Sequence, residues 1–363
     1  MTILVGDVGG TNARFAVVSA HDGALELIAE ETLPSGKFPG LEDALAVFIE
    51  RWPAARAVER ACFGLAGPIR GDRCETTNLP WVVEGAELAR TLGLDGLGAH
   101  GGAGAVDLLN DVEAAAWGLV VIGPNGVRPL AEGRPRAGGN RALVAPGTGL
   151  GAAVLFRQGG RYHPFATEGG HTDFAPADDL QVELWRYLHR RYGHVSWERV
   201  VSGPGLVAIY RFFLERAGER TPAWLAHEEA EGDAAAAITA QAHGEDGACE
   251  LCVRALELFF RLLGAEAGNL ALSMLATGGV YLAGGIVSKL LPELAASGFL
   301  DAFNAKGRLR PLLEEIPVRV VVDDRLALWG AAAHAAGVCD PRRVQCIETV
   351  SPPPLALVPD QGA

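Results

Sequence analysis

The sequence predicts an α/β protein of two domains with a cleft between them. Two glycine-rich hairpins far apart in the chain carry that prediction, together with a length of 363 residues and an apolar fraction of 49%, enough for two cores. The first, Ile3 to Val18, sets two apolar, β-branched runs around Gly6-Asp7-Val8-Gly9-Gly10-Thr11-Asn12. The second, Ala142 to Leu155, repeats the arrangement around Gly147-Thr148-Gly149. Such a pair is what a chain of two duplicated halves would use to hold one phosphate chain from both sides.

The first turn offers bare backbone. Without Cβ atoms at Gly6, Gly9 and Gly10, successive N–H groups can converge on an anion, the Thr11 hydroxyl adds a donor, and Asp7 can hold the water shell of a cation. A strand follows instead of a helix, so this is neither a P-loop nor a G-x-G-x-x-G turn. Leu25 to Leu33 then reads as a third strand, and Leu41 to Arg51 as an amphipathic helix with Leu41, Leu45 and Phe48 on one face. The strand Arg60 to Leu65 runs into Ala66-Gly67-Pro68-Ile69, at the kind of strand end where ligands of open α/β sheets collect. Asn78, within Thr76 to Trp81, is either a turn residue or a side chain aimed at a polar ligand. A glycine-rich loop at 96–104 precedes the run Val106 to Asp111, and Glu113 to Leu119 is helical. Asn110 or Asp111 can cap that helix, and a carboxylate at a strand end is also where a general base stands.

Residues 123–139, rich in Pro, Gly and Arg, read as a loop ahead of the second hairpin. Glu168 and His171 flank two glycines, which let backbone approach a ligand while both side chains turn onto it. A zinc role for His171 is disfavoured, since no cysteine lies between Cys74 and Cys249. Asp178 to Arg191 is helical, and Glu198 follows in a run that ends at Gly205; a glutamate alone in such a run is more often a solvated charge. Leu206 to Arg216, Ala234 to Ala242 and Cys249 to Leu275 read as helices. The strand Val280 to Ala283 meets Gly284-Gly285, a third glycine turn opening a helix and suited to a flat nucleoside over bare backbone. A last strand, Val318 to Val322, precedes the helix Ala327 to Ala336. Beyond Val338 the tail lacks periodicity and reads as disordered or loosely docked.

A net charge of −13 disfavours nucleic acid as a partner. The chain opens directly into a strand with no secretory signature, which predicts a cytoplasmic protein. The uncharged window between Glu266 and Lys289 splits into a helix and a strand instead of a membrane span. Six cysteines are too few and too scattered for a disulfide scaffold, and Cys249-x-x-Cys252 lies in a helical pattern with no second pair, which reads as unpaired thiols.

Several stretches, taken jointly and in order, resemble bacterial glucokinases, the ATP-dependent hexokinase group of the actin-like ATPase superfamily. They are Gly6 to Arg14, Leu109-Asn110-Asp111, Gly147-Thr148-Gly149-Leu150-Gly151, Glu168-Gly169-Gly170-His171, Gly193 to Ser196 with Glu198-Arg199, Ser202 to Leu206, and Ala283-Gly284-Gly285-Ile286. The likeness covers nearly all of Ile3 to Val338. It implies a ribonuclease H-like fold with a small domain (1–110 plus about 321–340), a large domain (111–320), an extra tail (341–363) and a homodimer. It also implies phosphoryl transfer from MgATP to the 6-hydroxyl of D-glucose. ATP would lie on Gly6, Asp7, Val8, Gly9, Gly10, Thr11, Asn12, Gly147, Thr148, Gly149, Gly284 and Gly285, with Asp7 holding magnesium directly or through water. Asp111 would be the catalytic base, and Asn110, Glu168, His171 and Glu198, with Asn78, would hold the sugar. Val112 departs from the family's usual aromatic residue, and 96–104 looks like an insertion. The alternatives are a kinase of mannose, fructose or an amino sugar, and a sugar-sensing regulator. The regulator needs a helix-turn-helix, usually ahead of the first hairpin, where only Met1 and Thr2 stand.

Overall fold

The computed structural model describes residues 1–21, 24–94, 105–232, 234–244, 248–338 and 345–348. The predicted loop at 96–104 and the tail from 349 onward lie outside the described residues. Two compact units form, one from Met1–Val121 with the described part of Ala327–Ala363, the other from Ile122–Leu326.

In chain order the first unit contains β1 (Thr2–Val8), β2 (Asn12–His21), β3 (Ala24–Pro34), α1 (Leu41–Arg51), β4 (Arg60–Leu65), β5 (Ile69–Arg70), β6 (Arg73–Glu75), β7 (Val82–Glu84), α2 (Gly85–Thr91), β8 (Val106–Asn110) and α3 (Asp111–Val121). The second contains β9 (Val127–Ala131), β10 (Arg141–Pro146), β11 (Leu150–Gln158), β12 (Arg161–Thr167), α4 (Asp179–Tyr192), α5 (Gly203–Ala217), α6 (Ala223–Glu231), α7 (Ala234–Ala242) and α8 (Glu250–Ser273). It continues through β13 (Gly279–Leu282), α9 (Gly285–Lys289), α10 (Leu291–Ala296), α11 (Phe299–Asn304), α12 (Arg310–Glu315) and β14 (Val318–Val321). The chain then returns to the first unit with α13 (Leu326–Ala335) and β15 (Gln345–Glu348).

The two main sheets share one plan. In the first, β1, β2 and β3 form an antiparallel meander, and β4 and β8 continue the sheet parallel to β1. In the second, β10, β11 and β12 repeat the meander, and β13 and β14 continue it parallel to β10. Parallel neighbours need a long crossover, which α1 supplies between β3 and β4 and the helices from α4 to α8 supply between β12 and β13. The duplicated halves expected from the two glycine turns are thus present as duplicated topology.

Each unit has its own core. Leu41, Ala44, Leu45 and Phe48 of α1, at helical spacing, are buried with Phe15 of β2 and Phe63 of β4. In the second unit α8 is buried on most of its circumference, including Leu258, Phe259, Phe260, Leu262 and Leu263. Its neighbours α5, α7 and α11 account for that. Among the described residues no helix is long and apolar enough to cross a membrane.

Two expectations change. The stretch 123–139 is not all loop, because Val127–Ala131 pairs antiparallel with β14 as an edge strand. In the tail, Gln345–Glu348 adds a parallel edge strand to β3. Edge strands are made by a distant partner, so local composition hides them.

Candidate active site

Register gathers the first group of predicted residues. Val8 of β1 stands beside Leu65 of β4, and Leu65 beside Asn110 of β8, so the first glycine turn and the Asn110-Asp111 pair leave the same edge of one sheet. Gly6 and Val8 are buried within β1, and a methyl group at Gly6 would stand 2.5 Å from the Phe63 ring. The lack of a side chain at Gly6 therefore serves the core. Asp7 is half-buried, and Thr11 and Asn12 are exposed. The Gly9 N–H donates to the Asn12 carbonyl at 2.9 Å and closes the turn. The N–H groups of Gly10 and Thr11 have no backbone acceptor among the described residues.

Ser35, which sequence reasoning missed, holds this turn from behind. Fully buried, it donates its hydroxyl to the Gly9 carbonyl at 2.8 Å and its N–H to the Thr11 carbonyl at 2.9 Å. Asn78 lies beside the same turn, since a methyl group at Gly10 would stand 2.7 Å from the Asn78 Cβ. A chain of backbone bonds places it there: Thr77 N–H to the Ala66 carbonyl at 3.0 Å, and Ala66 N–H to the Val8 carbonyl at 3.1 Å.

Asp111 is the first residue of α3, where the helix favours negative charge. Asn110 does cap that helix, accepting the Val112 N–H at 3.0 Å, while its amide donates to the Gly67 carbonyl at 3.3 Å. Asp111 Oδ1 also accepts the Val112 N–H, at 2.9 Å. Gly64 is a second residue missed: a methyl group there would stand 2.9 Å from the Ala114 Cβ, so its absence lets α3 settle onto β4. Burial, and then the charge of Asp111, push the Cys74 thiol up. Burial also raises the Glu113 carboxyl.

The second unit gathers the rest. Gly147 and Thr148 are exposed in the turn from β10 to β11, which the Gly147 N–H closes on the Gly149 carbonyl at 2.8 Å. Gly203 at the start of α5 donates to the Gly147 carbonyl, also at 2.8 Å. At the end of the neighbouring strand Gly284 has φ +99°, and a methyl group on it would stand 2.6 Å from the Pro146 carbonyl oxygen. Gly284 and Gly285 are exposed at the same sheet edge as the Gly147 turn. Glu198, half-buried instead of fully solvated, accepts the Leu150 N–H at 3.0 Å and donates its own N–H to the Gly170 carbonyl at 2.8 Å. Gly170 sits so close to Leu150 that a methyl group would stand 2.3 Å from the Leu150 carbonyl oxygen. Glu168 and His171, exposed on this loop, have their Oε2 and Nε2 atoms 3.9 Å apart. Two carboxylates and an imidazole, set beside the Gly147 turn by the bonds from Leu150 to Glu198 and from Glu198 to Gly170, can together accept from and donate to a polyhydroxyl ligand.

The Glucokinase family profile matches residues 4–338. The chain belongs to the glucokinase family. It is 40% identical to the glucokinase of Chromobacterium violaceum over 339 residues, covering 93% of this chain and 90% of the relative. To the glucokinase of Nostoc punctiforme it is 38% identical over 349 residues, covering 92% and 98%. Among solved structures, a glucokinase from an Antarctic psychrotroph matches with a TM-score of 0.76 and 31% identity, covering 93% of this chain and 99% of that one. A ROK family glucokinase from Streptomyces griseus, in complex with glucose and AMPPNP, shares the fold at a TM-score of 0.59 and 20% identity, covering 93% and 99%. Glucokinases and ROK sugar kinases are two-domain actin-like ATPases, and the duplicated meander with its parallel extension is that fold.

Proposed function

We propose that this protein is an ATP-dependent glucokinase that transfers the γ-phosphate of MgATP to the 6-hydroxyl of D-glucose. The observation that carries the reading is family membership over residues 4–338 in a chain whose two main sheets each lead into a glycine turn with exposed residues, Thr11 and Asn12 in one and Gly147 and Thr148 in the other. Gly9 to Asn12 and Gly147 to Gly149 hold the phosphates, and Gly284-Gly285 leaves room for the flat nucleoside. Asp7 suits magnesium, which keeps most of its water and takes few protein carboxylates when substrate phosphates complete its shell. Bound there, the ion would neutralise phosphate charge.

Asn110, Glu168, His171, Glu198 and Asn78 present donors and acceptors to the ring hydroxyls, a match that an analogue lacking one hydroxyl cannot meet. Asp111 accepts the proton of the 6-hydroxyl. In a loose transition state that proton leaves late, so a carboxylate suffices and positioning outweighs base strength. The Asn110 cap and the seat at Gly64 supply that positioning. A homodimer and a cytoplasmic location belong to the same reading, and light scattering on the purified chain tests the first.

The deciding experiment is a hexose panel with MgATP, reading ADP release together with the identity of the phosphorylated sugar. Glucose 6-phosphate as the main product supports the assignment. A preference for mannose, fructose or an amino sugar moves it to a sister kinase, and no sugar-dependent ADP release ends it.

A further inference from the structure

We propose that Ser202 is a positioning residue that holds Glu198 and the Gly147 turn together through one buried hydroxyl, an inference that rests on the sugar and phosphate roles read above for those two. Ser202 is the N-cap residue of α5 and is 1% exposed. Its hydroxyl donates to the Glu198 carbonyl at 2.7 Å and accepts the Gly205 N–H at 3.0 Å. The bond from Gly205 is an ordinary helix cap. The bond to Glu198 reaches back out of the helix, to a residue read as a sugar ligand.

Glu198 is fixed through its carbonyl, its N–H and its side chain. Ser202 holds the carbonyl, the Gly170 carbonyl accepts the N–H at 2.8 Å, and Oε2 accepts the Leu150 N–H at 3.0 Å. That carboxylate fills the space a side chain at Gly149 would need, since a methyl group there would stand 2.6 Å from Oε2. The residue after Ser202 completes the arrangement, because the Gly203 N–H donates to the Gly147 carbonyl at 2.8 Å. A closed path therefore runs from Glu198 through Ser202 and Gly203 to the Gly147 turn, and returns from Leu150 to Glu198. Gly205 lets the helix begin this close, as a methyl group on it would stand 2.8 Å from the Val200 carbonyl carbon. Without the Ser202 hydroxyl the Glu198 carbonyl loses its donor, and the 198–202 turn must shift to find another. Such a shift moves a sugar ligand and a phosphate turn at once.

The test is steady-state kinetics with thermal melting on the full chain, using whichever hexose the parent turns over best. Ser202→Ala should raise KM for the hexose and KM for ATP by about fivefold each, the scale of one hydrogen bond. Ser202→Gly separates the two bonds, because glycine caps a helix almost as well but has no hydroxyl. It should raise both constants as far with a smaller loss of Tm, and it carries the test where Ser202→Ala fails to fold. Ser297 supplies the control: its hydroxyl donates to the Leu294 carbonyl at 2.7 Å and accepts the Phe299 N–H at 3.2 Å, with neither partner in the candidate site. Ser297→Ala should lower Tm and leave both constants where they are. Added to Glu198→Ala, Ser202→Ala should raise the hexose KM no further, because its effect on the sugar passes through Glu198. An active parent with unmoved constants in Ser202→Gly, or a full extra rise on top of Glu198→Ala, overturns this proposal alone. A parent that turns over no hexose overturns the kinase reading along with it.

Discussion

The Oε2 atom of Glu198 accepts the Leu150 N–H at 3.0 Å, so one carboxylate ties a predicted sugar ligand to the glycine turn predicted to hold phosphate. The Glu168 carboxylate instead faces His171, with its Oε2 3.9 Å from the His171 Nε2. The two glutamates should therefore fail differently. Glu168→Ala should raise KM for glucose about tenfold or more, the scale of a hydrogen bond to a charged group, and leave KM for ATP unchanged. Glu198→Ala should raise both constants. Steady-state kinetics with each substrate varied in turn checks this, and an unchanged ATP constant in Glu198→Ala removes the coupling.

Asp111→Asn keeps an acceptor oxygen for the Val112 N–H but cannot take a proton. We expect kcat to fall by about 10²- to 10⁴-fold with little change in KM for glucose. Near-normal turnover would remove Asp111 from its role.

Gly284→Ala combines a backbone at φ +99° with a methyl group 2.6 Å from the Pro146 carbonyl oxygen. The strain should cost about 1–3 kcal/mol, read as a lower Tm, and should raise KM for ATP while sparing glucose. A fully stable variant with normal ATP affinity would show that the strand ends do not meet as described.

Much of this was legible in the sequence, for reasons that can be named. The hairpins at 3–18 and 142–155 announce themselves because apolar alternation and glycine turns are local signals, and α1 matches its predicted bounds because Leu41, Leu45 and Phe48 keep helical spacing. The edge strands β9 and β15 were hidden because their partners, β14 and β3, are distant in the chain. At the candidate site the residue types were readable and their joins were not. Nothing near Glu198 in sequence points to Leu150, and nothing near Ser35 points to Gly9.

Ser35 turns that gap into a prediction. Its hydroxyl is buried and donates to the Gly9 carbonyl, so Ser35→Ala leaves that carbonyl without its partner. The expected cost is about 1 kcal/mol of stability and a several-fold rise in KM for ATP, with KM for glucose unmoved. Thermal melts and kinetics on one preparation check both, and loss of stability alone would make Ser35 a core residue without influence on the turn.

Glu266 gives the fold a pH dependence of its own. It is 8% exposed on α8, and burial pushes its carboxyl up to about 7, against the pull of Lys306 and the hydrogen bond from Asn269 at 3.1 Å. Lys306, itself lowered by burial, donates to the Ala265 carbonyl at 2.9 Å and to Asn269 Oδ1 at 2.6 Å. Between the ordinary glutamate value of about 4.3 and about 7, the folded protein holds a proton that the unfolded chain has released. The folded state then binds more protons, so stability falls as pH rises through that window, by about 4 kcal/mol at most. Glu266→Gln keeps the shape and cannot ionise. Its Tm relative to the parent chain should therefore climb as pH rises from about 4.5 to about 7, and parallel Tm curves would mean that Glu266 titrates like a solvated carboxylate.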